Sequence, residues 1–123
     1  MNRRAIAAIF AILAYPAQTL AAPDSKGSFA VLGYGTNSCG TWTSEHQLKN
    51  DYAFAQNQWL LGYVTSFNAW SPGTSNASGD TDNAGLLEWV NNYCSQHPLN
   101  SISDAAAALM LALYIKQSPA TKP

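Results

Sequence analysis

Residues 51–70 read DYAFAQNQWLLGYVTSFNAW, and this stretch decides the fold. Leu60, Tyr63, Val64 and Phe67 recur at i, i+3, i+4 and i+7, the spacing of one face of an α-helix. Ala53 and Ala55 near its start are small enough to let a second helix approach, and Pro72-Gly73 ends the element. The same period returns downstream. Residues 83–97 place Leu86, Val90 and Tyr93 on one face with Leu87 and Cys94 on its flank, Asp82 or Thr81 is positioned to cap the start, and Pro98 stops the run. A further helix over residues 102–117 opens on Ser101 and Asp104, a capping box with aspartate in the usual place of glutamate. Its stretch 105–113 is apolar on every side, which predicts a central helix covered by its neighbours. Upstream, residues 41–48 suit a short helix capped by Thr41 or Thr43, with Glu45 in its first turn. The expectation is an all-α fold, a compact bundle of three to four helices.

Outside the helices the chain divides by composition. Met1-Asn2-Arg3-Arg4 is followed by an apolar run over residues 5–15, then by Pro16 and the small-residue stretch Thr19-Leu20-Ala21-Ala22. A basic start, a short apolar middle and small residues at the end make residues 1–21 a secretion signal, with cleavage after Ala21 preferred because a cut after Ala22 would put Pro23 at the scissile bond. The run is shorter than the roughly 20 residues a stable membrane anchor needs. Residues 22–40 read as an irregular entry segment rich in Gly, Ser, Asp and Asn, in which Phe29 to Leu32 form a short helix or a strand, too few for periodicity to decide. The helical domain is assigned to residues 41–117 and a fraying tail to 118–123.

Cys39 and Cys94 are the two cysteines of the chain. Delivered to an oxidising compartment, they pair within the molecule, and closing so long a loop is worth about 4 kcal/mol on chain entropy. Loss of Arg3 and Arg4 with the signal leaves Lys26, Lys49, Lys116 and Lys122 scattered against seven carboxylates. The mature domain is thus mildly acidic and carries no basic stripe, so nucleic acid is not an expected partner.

The motifs that announce chemistry are missing. There is no Gly-x-Ser-x-Gly elbow, no His-Glu-x-x-His and no phosphate-binding loop ending in Gly-Lys-Ser or Gly-Lys-Thr, so no cofactor and no catalytic residue is assigned. Residues 80–85 begin like a calcium loop, but the fifth place is Ala84 and the twelfth is Asn91, and helix capping by Asp82 accounts for the cluster without a metal. His97 sits at a helix end, where its ring can satisfy free carbonyls, and His46 lies among polar neighbours as a solvated side chain. Residues 71–82 have loop composition and read as the most exposed segment, with Trp70 at its mouth as an aromatic anchor of the kind that dominates binding hot spots.

The succession Ser38-Cys39-Gly40-Thr41-Trp42, Trp59-Leu60-Leu61-Gly62-Tyr63-Val64, Glu88-Trp89 through Tyr93-Cys94, His97-Pro98-Leu99 and an alanine-rich last helix from Asp104 resembles a group of small secreted bacterial proteins. Over residues 38–113 it is similar to the HdeA-like helical fold and to periplasmic immunity proteins that neutralise type VI secreted toxins. The resemblance implies a periplasmic or secreted binding protein, not an enzyme, that occludes a protein partner such as a secreted effector toxin. Trp70, Asp80 and Asp82 are the expected partner-binding residues. An acid-stress chaperone of the HdeA type and a small cell-wall hydrolase using His46 or Glu45 are the alternatives; nine titrating acidic and histidine groups are few for the former.

Overall fold

The structure, a computed structural model, describes residues 24–118. The expected signal segment and the tail beyond Ser118 lie outside the described residues. A 3-10 turn at Gly33–Thr36 leads into four helices, α1 (Cys39–Leu48), α2 (Asp51–Trp70), α3 (Asn83–Gln96) and α4 (Ile102–Gln117). Among the described residues there is no strand and no helix long and apolar enough to cross a membrane. The all-α expectation is met.

Each helix starts where a short polar side chain can reach back to its first free N–H groups. Asn50 accepts from Ala53 N at 3.1 Å, Asp82 from Gly85 N at 2.8 Å, and Ser101 and Asp104 form a complete capping box. At α1 the expected cap is corrected. Ser38, not Thr41 or Thr43, accepts from Thr41 N at 3.1 Å, so the helix begins two residues earlier and includes Cys39 and Gly40, which the sequence reading had left in the irregular entry segment. Phe29 to Leu32 form neither helix nor strand; Leu32 is extended, and its carbonyl accepts a hydrogen bond of 2.8 Å from the Trp59 indole. Lys49 takes a left-handed conformation (φ 52°) to turn the chain from α1 into α2.

The core is a contiguous cluster drawn from all four helices, centred on Trp42, Leu60, Val90, Ile102 and Leu109. Helix α4 buries one face, Ile102, Ala105, Ala106, Leu109, Met110 and Leu113. The expectation that it is covered on every side is wrong, because Ala107 and Leu111 look outward to solvent. Among the described residues one polar side chain is sealed inside: Gln56 is fully buried and neither amide atom has a hydrogen-bond partner there.

The two ends of the bundle are held differently. At one end Cys39 is bonded to Cys94 across 55 residues, and three backbone hydrogen bonds join the start of α1 to the α3–α4 turn: Cys39 N to Asn100 O at 2.7 Å, Gly40 N to Pro98 O at 3.0 Å, and Ile102 N to Asn37 O at 2.8 Å. At the other end α2 and α4 terminate and α3 begins, with residues 71–82 crossing between them.

Candidate functional site

Large apolar side chains are exposed at several places, among them Leu48, Phe54 and Leu99, and at the loop end they adjoin two hollows. Trp70 closes α2 with 70% of its surface exposed, Leu111 and Tyr114 on α4 expose 60% and 69%, and such large apolar groups are ordinarily the ones folding removes from water. Phe67, one turn before Trp70, forms with Thr74, Ala77, Met110, Tyr114, Gln117 and Ser118 an open hollow of about 200 Å³. Directly beyond Gln117 lies a second hollow of about 320 Å³, lined by Ser78, Gly79, Asp80 and Lys116.

The loop is held over these hollows by side chains. Asn68 Oδ1 accepts from Ala77 N at 2.8 Å, and the Gln117 side-chain amide donates to Ala77 O, so Ala77 is buried in an otherwise polar segment. Asn76 Nδ2 donates to Gly79 O at 3.2 Å and Ser78 Oγ to Asn76 Oδ1 at 2.7 Å, closing a tight turn in which Gly79 has φ 57°. Lys116 Nζ donates to Thr81 Oγ1 at 3.2 Å.

Of the residues singled out from sequence, Trp70 stands exposed at the end of α2, one turn beyond Phe67, but does not itself line the first hollow, whereas Asp80 lines the second. Asp82 caps α3, its carboxylate turned to Gly85 N. Cys39 and Cys94 are buried at the opposite end. Leu111, Tyr114, Lys116 and Gln117 were not anticipated. Their signal was present in α4, whose apolar run is longer than one buried stripe requires, but a helix read as buried all round hides its outward face.

A smaller polar cluster lies between α1, α2 and α3. The Trp42 indole N–H donates to Asn91 Oδ1 at 2.7 Å, and Asn91 Nδ2 donates to Glu88 Oε2 at 3.0 Å. His46 stacks on Trp42 with ring centroids 4.1 Å apart. Its Nδ1 lies 2.7 Å from the Trp42 carbonyl, which can only accept, so this nitrogen carries the proton. Nε2 lies 2.8 Å from the Asn57 side-chain amide, so both ring nitrogens are engaged. His46 is therefore a half-buried bridge between α1 and α2, not the solvated side chain expected. His97 behaves as expected, its Nδ1 2.9 Å from Tyr93 O at the end of α3.

Among the described residues no three His, Cys, Asp or Glu side chains stand close enough to share a metal ion. Comparison with family models, with curated proteins and with solved structures finds no match to this chain.

Proposed function

We propose that the mature chain is an exported binding module that recognises a protein partner with its loop end and acts by occlusion. The observation that carries this reading is the open hollow walled by Phe67, Met110 and Tyr114, with the exposed Trp70 one turn beyond Phe67 on α2 and the exposed Leu111 next to Met110 on α4. A ring or branched side chain of the partner would fill that hollow, and burial of the three exposed apolar groups would supply the affinity. Hot spots of this make-up, a large aromatic beside a pocket, carry most of the binding energy at protein interfaces. The signal-like residues 1–21 and the closed disulfide support a working place in the periplasm or outside the cell. The acidic balance of the mature chain favours a basic partner, whose encounter would be accelerated by complementary fields. A secreted effector toxin met by an immunity protein is the pairing of this kind suggested by the sequence resemblance.

The test immobilises the oxidised protein and, in parallel, a Trp70→Ala/Tyr114→Ala variant whose helix content is checked by circular dichroism. Both are exposed to periplasmic extract and to the secreted proteins of competing bacteria, and the captured partner is then titrated. Loss of the two rings weakens binding by about 2 kcal/mol or more, roughly 30-fold in Kd. Equal affinity for both proteins would place the binding surface elsewhere.

A further inference from the structure

We propose that the two adjoining hollows at the loop end form one binding site for a free apolar α-amino acid of leucine or phenylalanine size. The first hollow supplies the side-chain half of the site. Phe67, Ala77, Met110 and the Tyr114 ring make its walls, and about 200 Å³ is somewhat more than the roughly 150 Å³ cavity that holds a benzene ring. It has room for one such side chain.

The second hollow supplies the other half. Lys116 and Asp80 line the same space of about 320 Å³, one of each sign, and neither forms an ion pair with a described residue. A carboxylate alone would be drawn to Lys116 and repelled by Asp80, and an amine alone would meet the reverse. A zwitterion satisfies both, with its carboxylate toward Lys116 Nζ and its ammonium toward the Asp80 carboxylate.

The join between the hollows fits this chemistry. Gln117 lines both, and in an α-amino acid the side chain and both charged groups diverge from a single carbon atom. That carbon would lie beside Gln117, whose amide can hydrogen-bond the head group. The hollow beside His46 offers no comparable case, because Trp42, His46 and Asn91 there already bond to one another or to neighbouring residues. This site does not depend on the partner proposed above, although a partner seated on the loop end would compete with the ligand.

The experiment records the backbone amide spectrum of the oxidised, isotope-labelled protein during titration with L-phenylalanine, N-acetyl-L-phenylalanine, L-phenylalaninamide and benzyl alcohol. A ligand of this size binds with a Kd of about 1 mM, and shifts centre on Ala77, Gly79 and Gln117. Blocking either charge weakens binding by about fivefold or more. Asp80→Asn removes the difference between phenylalanine and its acetyl derivative, and Lys116→Gln removes the difference between phenylalanine and its amide. Absence of shifts at about ten times that concentration, or equal affinity for benzyl alcohol and phenylalanine, overturns the proposal. The dipeptides Phe-Gly and Gly-Phe decide the source. Weaker binding of both than of phenylalanine supports the free amino acid, and tighter binding of either overturns that assignment.

Discussion

Removing the Cys39–Cys94 bond should cost this domain a large fraction of its stability. The cross-link spans 55 residues, and the chain-entropy relation for a loop of that length gives about 4 kcal/mol at 25 °C, exerted on the unfolded chain. A domain of this size has a total stability of only about 5–15 kcal/mol, so the loss is decisive without being fatal. Both sulfurs are buried, and a Cys39→Ala/Cys94→Ala variant therefore loses packing as well. The cleaner comparison is oxidised against reduced wild-type protein, in which the sulfur atoms stay in place. Urea unfolding followed by circular dichroism at matched pH should show a drop of about 4 kcal/mol. The slope m should rise on reduction, because an unfolded chain freed of its cross-link exposes more surface. A loss below about 1 kcal/mol with m unchanged would mean that the three backbone bonds beside the disulfide, not chain closure, hold α1 to the α3–α4 turn.

Three further substitutions probe the interior. Gly35→Ala drives a new methyl into the Trp59 ring, with the Cβ only 2.7 Å from Trp59 Cε2, and should destabilise by about 1–3 kcal/mol with a change in tryptophan emission as the indole leaves Leu32 O. Gln56→Met replaces a sealed, unbonded amide with an apolar chain of similar shape and should raise stability by about 1–2 kcal/mol, read as an upward shift in the urea midpoint; a downward shift would show that the amide is bonded. Burial pushes the half-buried Tyr63 phenol above its ordinary 10.0. The folded state therefore holds this proton more tightly than the unfolded chain, so the contribution is complete below pH 10.0 and is lost as the pH climbs through the raised value. Unfolding measured across that alkaline range should show a decline in wild type that Tyr63→Phe reduces.

The elements that sequence made legible are those whose signals are local. The period of Leu60, Val64 and Phe67 and the stops at Pro72 and Pro98 describe α2 and α3 almost to the residue, because they act within one helix. The start of α1 was misplaced for the opposite reason. Ser38 competes with Thr41 and Thr43 on equal chemical terms, and the choice is made by Cys39 N and Gly40 N bonding to Asn100 and Pro98, about sixty residues away along the chain. The site divides the same way. Trp70 beside a polar loop is visible in sequence, whereas the meeting of Lys116 and Gln117 with Asp80 and Ala77 depends on α4 returning beneath that loop. His46 was misread because its bridge to Asn57 crosses the turn between two helices.

The unequal fastening of the bundle has a consequence for how such a chain can change over generations. Residues 71–82 rest on Asn68, Gln117 and Lys116 through side-chain bonds, while the covalent clasp and the backbone ladder sit at the far pole. Changes in the segment away from the buried Ala77 and the α3 cap Asp82 therefore fall where global stability depends on them least. The scaffold can keep its architecture while that edge of the surface drifts.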